Sequence, residues 1–143
     1  MATVLLVGEH SPERGLEAAI LRRYGFEVRA TSPAAALQSC ASDPPTLVLA
    51  PAGLRAGDGR SLTTALREVA APRDLAVLCV AATLEESDLE MERGGADLVL
   101  LRPVRARKLV EELTLLAERR PLRSRGSMRP HAARRDRLAG LPR

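Results

Sequence analysis

The sequence predicts an α/β fold in which a parallel sheet of five strands is covered by helices on both faces. Five strand-like runs alternate with five segments of helical periodicity, the order that βαβ units produce. The first run, Val4–Val7, is apolar throughout, which is typical of a strand buried on both sides. At 143 residues the chain has room for one such doubly wound domain and a tail.

Each element has its own signal. The strands are expected at residues 4–7, 27–31, 46–50, 76–81 and 98–101. Ser11-Pro12 and Ser32-Pro33 each place a capping serine before a proline, which opens a helix. Thr83 and Glu86 have the spacing of a capping box, in which Glu86 would return to the backbone of the cap. The helices are expected at residues 12–24, 34–42, 61–69, 84–93 and 104–120.

Helical spacing predicts which faces are buried. Side chains three and four positions apart share one face of a helix. The first helix shows such an apolar stripe at Leu16, Ala19, Ile20 and Tyr24. The third shows Leu62, Ala65, Leu66 and Val69, and the fifth shows Leu109, Leu113, Leu116 and Ala117.

Charge divides the chain into two regions. Residues 1–118 carry 13 basic and 17 acidic side chains, a net charge of −4, whereas residues 119–143 carry nine arginines and one aspartate, a net charge of +8. We therefore expect a folded domain at residues 1–119 and a basic, arginine-rich disordered tail at residues 120–143. Cys40 and Cys79 match no metal-binding spacing, which favours two reduced, buried thiols in a cytoplasmic protein.

Several local motifs together indicate a family. The run Val4–Val7 leads into Gly8-Glu9, and it is followed in order by Pro45-Thr46-Leu47-Val48-Leu49, Gly57-Asp58-Gly59, Gly95-Ala96-Asp97 and Arg102-Pro103. Over residues 3–119 this series resembles the receiver (CheY-like) domain of two-component response regulators. The resemblance implies a flavodoxin-like sheet with the strand order 2-1-3-4-5.

The resemblance also assigns the phosphorylation site, and this chain departs from it. Receivers use an acidic pair, an aspartate that accepts the phosphoryl group, a hydroxyl residue and a lysine. The matching positions here are Gly8, Glu9, Pro51, Ala81 and Arg102. Pro51 has no nucleophilic oxygen, and Val99 stands where many receivers carry an aromatic residue. The chain therefore resembles a degenerate pseudo-receiver that lacks the acceptor aspartate.

The remaining polar residues of this region leave alternatives open. Glu9 and Arg102 could form an ion pair across the top of the sheet, or Arg102 could bind an anion. Asp58, in a glycine-rich loop, is expected to serve a turn and not to replace the acceptor. His10 is expected to be a solvated loop residue. No catalytic residue, metal site or cofactor is expected, and no glycine-rich phosphate loop follows a strand.

Two charged regions could bind partners. The resemblance implies an output surface formed by helix four, strand five and helix five, where we single out Glu85, Glu86, Arg105, Arg107 and Lys108. The acidic residues of the fourth helix are expected to form a solvated face or, as an alternative, a docking surface for a basic partner; they are Glu85, Glu86, Asp88, Glu90 and Glu92. The tail could contact a polyanion, an acidic protein or a membrane surface, or could only solubilise the chain. Its candidate residues are Arg119, Arg120, Arg123, Arg125, Arg129, Arg134, Arg135 and Arg137.

These observations predict a non-enzymatic signalling module. The favoured function is an atypical, phosphorylation-independent receiver that binds another protein. The alternative is a nucleic-acid-binding protein that uses its basic tail, with the receiver-like domain as scaffold. We expect a bacterial, cytoplasmic protein without a membrane span, and a homodimer stays open.

Overall fold

A computed structural model describes residues 2–119 and 134–135. Five parallel strands form one sheet: β1 (Thr3–Val7), β2 (Glu27–Thr31), β3 (Leu47–Pro51), β4 (Ala76–Ala81) and β5 (Leu98–Leu101). Their order is β2-β1-β3-β4-β5. The helices are α1 (Pro12–Arg23), α2 (Ala36–Ser42), α3 (Leu62–Ala70), α4 (Leu84–Arg93) and α5 (Ala106–Arg119). The predicted fold class and strand order are confirmed.

The sheet separates two hydrophobic cores. Alternate side chains of a strand point to opposite faces, so Leu6 and Leu49 meet the core shared with α1 and α5, whereas Leu5 and Val48 meet the core on the side of α2 and α3. Aliphatic residues fill both cores, as the near absence of aromatic residues requires. The carboxyl ends of the strands are left to form the functional edge.

The predicted cap of the second helix is wrong. Ser32 does not cap α2, which begins only at Ala36 and has no side-chain cap. The Ser32 hydroxyl instead accepts from the N–H of Ala35 (3.2 Å), within the turn that precedes the helix.

The other two predicted caps are formed by the predicted residues. Ser11 accepts a hydrogen bond from the backbone N–H of Arg14 (3.1 Å), and Thr83 accepts one from Glu86 (3.1 Å). The carboxylate of Glu86 accepts from the N–H of Ala82 (2.8 Å) and not from the cap itself. The cap at Thr83 is therefore confirmed, whereas the predicted return of Glu86 to the Thr83 backbone is wrong. Glu86 reaches one residue further and bonds to the backbone just after β4.

The face that α1 buries was predicted wrongly. Ala18 and Leu21 are its buried residues, whereas Leu16 is 63% exposed and Tyr24 is 58% exposed. The small Ala18 lets the helix approach the sheet, and this rotation points the predicted stripe outward. In α3, Val69 is 39% exposed because Ala70 takes the inward position. The remaining predicted residues of α3 are buried, and so are Leu109, Leu113 and Leu116 of α5.

The motif Gly95-Ala96-Asp97 has a structural explanation at the amino end of the sheet. Asp97 accepts hydrogen bonds from the backbone N–H of Val77 (2.8 Å) and from the guanidinium of Arg67 (2.7 Å). Arg67 also donates to the carbonyl oxygens of Gly95 (2.6 Å) and Leu75 (2.5 Å). These bonds tie α3 to the starts of β4 and β5. A partly buried, hydrogen-bonded ion pair of this kind fixes geometry.

A sixth strand lies at the edge of the sheet. Residues Arg134–Arg135 form this strand, β6, which pairs with β5 in parallel, Arg134 opposite Leu98 and Arg135 opposite Val99. No sequence pattern predicted it, because two arginines in a charged segment carry no strand periodicity. Arg119 ends α5. The other predicted polyanion-binding residues lie outside the described residues: Arg120, Arg123, Arg125, Arg129 and Arg137.

No helix in the described part of the chain is both long and apolar enough to cross a membrane. Cys40 and Cys79 are buried free thiols, as the sequence predicts.

Candidate functional site

A pocket of about 150 Å³ opens at the carboxyl edge of the sheet, between the strand ends and the first turns of α1. Apolar and charged residues form it. Strand residues Leu6, Leu49 and Val80 make its apolar floor, and charged side chains from α1 stand at its rim. Its charged lining residues are Glu9, Glu13, Arg14, Glu17 and Arg102.

The pocket brings together four of the five positions that the resemblance identifies. Gly8, Glu9, Pro51 and Arg102 all line it. Ala81 does not, since its side chain is buried and its carbonyl oxygen accepts from the N–H of Arg102 (2.9 Å). The site thus has the expected location, but no acceptor oxygen is contributed by Pro51.

The chain accommodates Pro51 at the end of a central strand without losing a ladder bond to β4. Ala52, not Pro51, supplies the N–H that bonds to the carbonyl oxygen of Val80 (2.9 Å). On the other side of β3 the pairing with β1 ends at Leu49. Proline lacks an N–H and is tolerated where that donor has no ladder partner. The proline therefore alters the chemistry of this edge and leaves the fold intact.

The expected ion pair between Glu9 and Arg102 does not form. No contact within 4.0 Å joins these two charged groups among the ion pairs of the described residues, and Glu9 is exposed. Arg102 instead acts on Glu17. Burial raises the pKa of the Glu17 carboxyl, and the positive charge of Arg102 partly opposes that rise in pKa. Arg102 therefore influences a carboxyl of α1 through space, and no ion pair joins the two groups among the described residues.

Sequence reasoning missed the contribution of α1 to the pocket. Arg14 donates to the carbonyl oxygen of Gly8 (2.8 Å) and to Nδ1 of His10 (3.1 Å), since a guanidinium group can only donate. His10 is exposed, as predicted, yet it is held by Arg14. Chain order could have predicted this contribution, because the helix that follows β1 begins at the same edge of the sheet where β1 ends.

The pocket does not fit the Mg²⁺ ion that receiver chemistry requires. Such an ion takes several oxygen ligands at short distance. Gly8 and Pro51 offer no side-chain oxygen at two of the three expected positions. Within residues 2–119 and 134–135, no three carboxylate, imidazole or thiol groups come close enough to hold a metal.

Asp58 serves a turn, as predicted. Its carboxylate accepts from the backbone N–H of Arg60 (3.1 Å) and from the Arg60 side chain (2.7 Å). These two hydrogen bonds lower the pKa of Asp58. Asp58 does not line the pocket, so it cannot stand in for the missing acceptor there.

Glu90 corrects the prediction of a wholly solvated acidic face on α4. It is 4% exposed. Its carboxylate accepts from the hydroxyl of Thr63 (2.7 Å) and from the backbone N–H of Gly53 (3.1 Å). The thiol of Cys79 lies beside it, and burial, followed by the Glu90 charge, raises the pKa of that thiol. Glu90 thus fixes α4 to α3 and to the loop that follows Pro51.

The predicted interaction residues lie in the first turn of α4 and around the start of α5. Glu85, Arg105 and Arg107 are exposed and Glu86 is half-buried. Lys108 is also half-buried and forms an ion pair with Glu112 (3.0 Å). We refer to residues 85–119, which span α4, β5 and α5, as the α4–β5–α5 surface.

Comparison with known proteins identifies the fold. No family model and no curated protein matches the chain. A putative response regulator from Chloroflexus aurantiacus is 25% identical with a TM-score of 0.72, over 82% of this chain and 98% of that one. A response regulator receiver domain from Clostridium thermocellum is 20% identical with a TM-score of 0.72, over 85% and 98%. NtrX from Brucella abortus is 24% identical with a TM-score of 0.71, over 88% of this chain and 29% of NtrX. The chain therefore has the fold of receiver domains and spans less than a third of NtrX.

Proposed function

We propose that this protein is a phosphorylation-independent signalling module of the receiver type, which binds another protein through its α4–β5–α5 surface. One observation carries the proposal: Pro51 lines the carboxyl-edge pocket, and the sequence resemblance assigns to this residue the position of the acceptor aspartate. A pyrrolidine ring has no oxygen that can attack phosphorus. The fold would then present a surface and not a phosphorylation switch.

The contacts of Glu90 support a fixed surface. They join α4 to Thr63 of α3 and to Gly53, two residues beyond Pro51. A buried carboxylate with several hydrogen-bond donors resists rearrangement, because movement would leave its charge without partners. This is consistent with an α4 that keeps one position whether or not a phosphodonor is present.

The protein is tested directly with a small-molecule phosphodonor and Mg²⁺, followed by intact mass measurement. We expect the wild type to gain no phosphoryl group. The variant G8D/P51D, which restores an acidic pair and an acceptor, is expected to gain one. Room for the first substitution exists, since a Cβ at residue 8 would meet only Arg14 Cδ, at 3.8 Å.

The Asp58→Asn variant is the matched control for a relocated acceptor. It should behave like the wild type. One phosphoryl group on the wild type, whether or not Asp58→Asn removes it, would refute the proposal.

We place this function in the bacterial cytoplasm and assign no enzymatic activity. The two free cysteines suit a reducing compartment. The excess of arginine over lysine, 21 to one, suits a GC-rich genome. A homodimer that uses the α4–β5–α5 surface is an alternative form of the same interaction, and the dependence of mass on concentration in light scattering decides between them.

Nucleic-acid binding through the tail is the second candidate function. The charge of +8 on residues 119–143 favours it, because each arginine that neutralises a phosphate releases a counterion. We expect the variant R120Q/R123Q/R125Q/R129Q to bind duplex DNA more weakly and with a shallower salt dependence than the wild type in anisotropy titrations. The variant R105Q/R107Q is the matched control on the domain. Equal binding by wild type and tail variant would exclude this candidate.

A further inference from the structure

Within the proposed interaction surface, β5 has β4 on one side, and its other side would be an edge of the sheet without β6. An edge strand presents unpaired N–H and C=O groups that can pair with another extended segment. In this chain β6 takes that place, with Arg134 opposite Leu98 and Arg135 opposite Val99. The edge therefore already accepts a strand, and the strand comes from the tail.

The surroundings of β6 favour a basic segment. β6 lies against α4 as well as β5. The exposed acidic residues of α4 include Glu85, Asp88 and Glu92, whereas β6 consists of two arginines. Residues 1–118 have a net charge of −4 and residues 119–143 a net charge of +8. Opposite charges on domain and tail raise the local concentration of one around the other.

Chain length permits the same molecule to supply the strand. Fourteen residues, 120–133, connect the end of α5 to β6, and an extended chain spans up to about 3.3–3.6 Å per residue. Neighbouring strands lie only about 4.8 Å apart. A parallel strand also needs a crossover connection, and α5 supplies one.

We propose that the edge of β5 beside α4 is a binding site for an extended, arginine-containing segment, and that residues 134–135 of the same chain are its resident occupant. The docked tail covers part of the α4–β5–α5 surface. A partner that uses this edge must therefore displace the tail. The regulatory meaning rests on the proposed interaction function, but strand docking can be measured with no partner present.

Backbone geometry shows which amides report the docking. The N–H of Asp97 bonds to the carbonyl oxygen of Val77 on β4 (2.8 Å). Successive N–H groups of a strand point to opposite sides, so the N–H of Val99 also faces β4. The N–H groups of Leu98 and Leu100 face β6, and their hydrogen exchange measures how much of the time the edge is covered.

The test is amide hydrogen exchange on the full chain by NMR. The variant R134P/R135P removes both backbone N–H groups of β6, and we expect Leu98 and Leu100 to exchange at least about 10-fold faster while Val99 is unchanged. R123P/R125P is the matched control, with two prolines outside β6, and should leave all three rates unchanged. Equal rates in wild type and R134P/R135P would overturn the proposal.

Charge and occupant are tested in the same experiment. In the wild type, we expect added salt to screen the arginines and to weaken the exchange protection of Leu98 and Leu100. R134Q/R135Q keeps both N–H groups but removes both charges. In this variant the protection of Leu98 and Leu100 should not depend on salt. A synthetic peptide of residues 131–138, added at about the millimolar effective concentration of a short tether, should restore protection to R134P/R135P. If the peptide does not restore protection, the edge of β5 is not a binding site for this segment. Protection in the wild type that rises with protein concentration would show a second copy as occupant and overturn the intramolecular assignment.

These measurements concern only β5 and β6. They can therefore contradict strand docking even when the wild type gains no phosphoryl group. The converse also holds, so failure of this inference and failure of the proposed function are distinguishable.

Discussion

Glu17 lies partly buried in the pocket, where its carboxyl has lost water and gained Arg102 as a neighbour. Burial raises the pKa of Glu17 above its ordinary value of 4.5, against the opposing charge of Arg102. The folded chain then holds this proton to higher pH than the unfolded chain does. The free energy of unfolding must therefore fall as the pH rises from 4.5 through the raised pKa.

The variant Glu17→Gln tests this pH dependence. Glutamine does not titrate, so the stability of E17Q relative to the wild type should rise over that pH window and then level off. Urea unfolding at a series of pH values from 4.5 upward measures it. A difference that does not change with pH would contradict the assigned environment of Glu17.

Arg102 is tested through the same carboxyl. Arg102→Gln removes the opposing charge and should raise the pKa of Glu17 further, as followed by NMR titration of its side-chain carboxyl carbon. Arg105→Gln, an exposed arginine outside the pocket, is the matched control. If the two variants give the same Glu17 titration, Arg102 does not act on this carboxyl.

Single residues were predictable where chain order alone fixes their position. Pro51 is the last residue of β3 and Gly8 follows β1, so the end of each strand places them at the carboxyl edge. Glu17 and Arg14 lie in a helix, and their place depends on how that helix is rotated against the sheet. That rotation brings Glu17 under the influence of the Arg102 charge, and no local pattern in the sequence reports it.

At the scale of elements, α3 and α4 are joined by a buried polar contact. The hydroxyl of Thr63 donates to Glu90 (2.7 Å) and accepts from the backbone N–H of Gly95 (2.7 Å). Gly94 next to it has no room for a side chain, since a Cβ there would lie 1.8 Å from Oε2 of Glu90. The end of α4 and the start of β5 therefore depend on one threonine.

Thr63→Ala should lower the free energy of unfolding by about 2–3 kcal/mol, because it leaves a buried carboxylate oxygen and an N–H without this partner. Thr63→Val keeps the shape and should lose a similar amount. Thr64→Ala is the matched control, since its hydroxyl makes only an exposed 3.4 Å contact with the carbonyl oxygen of Arg93, and should change stability by less than about 0.5 kcal/mol. If T63A and T64A lower the free energy of unfolding equally in urea, the buried hydrogen bond between Thr63 and Glu90 does not stabilise the fold.

Helical periodicity predicts the buried face of some helices correctly and of others wrongly. Leu109, Leu113 and Leu116 predicted the buried face of α5 correctly, because they recur at helical spacing. Leu115 of the same helix breaks that spacing and is 55% exposed. In α1, Ala18 is buried while Leu16 is exposed, since close approach to the sheet favours the smaller side chain. Glu90 was assigned to solvent because a carboxylate is seldom buried unless donors surround it. Those donors come from Thr63 and Gly53, which are distant in sequence.

At the scale of the molecule, the alternation of strands and helices was enough to predict the fold class, since βαβ connections allow few arrangements. The position of the pocket followed from the fold, because the strand ends meet at one edge. Strand β6 could not be predicted, since its stability depends on the charge and the open edge of a domain folded elsewhere in the chain. The described residues thus form a domain with the fold of receiver domains, and Arg134–Arg135 lie at one edge of its sheet.

The proposed function requires that the α4–β5–α5 surface keeps one conformation, because Pro51 offers no oxygen to phosphorylate. The most direct measurement is the two-dimensional amide NMR spectrum of the full chain with and without a small-molecule phosphodonor and Mg²⁺. We expect the amides of Glu90, Val99 and Lys108 to keep their chemical shifts. Shifts of these amides on addition of the phosphodonor, with Mg²⁺ alone as the control, would contradict the claim.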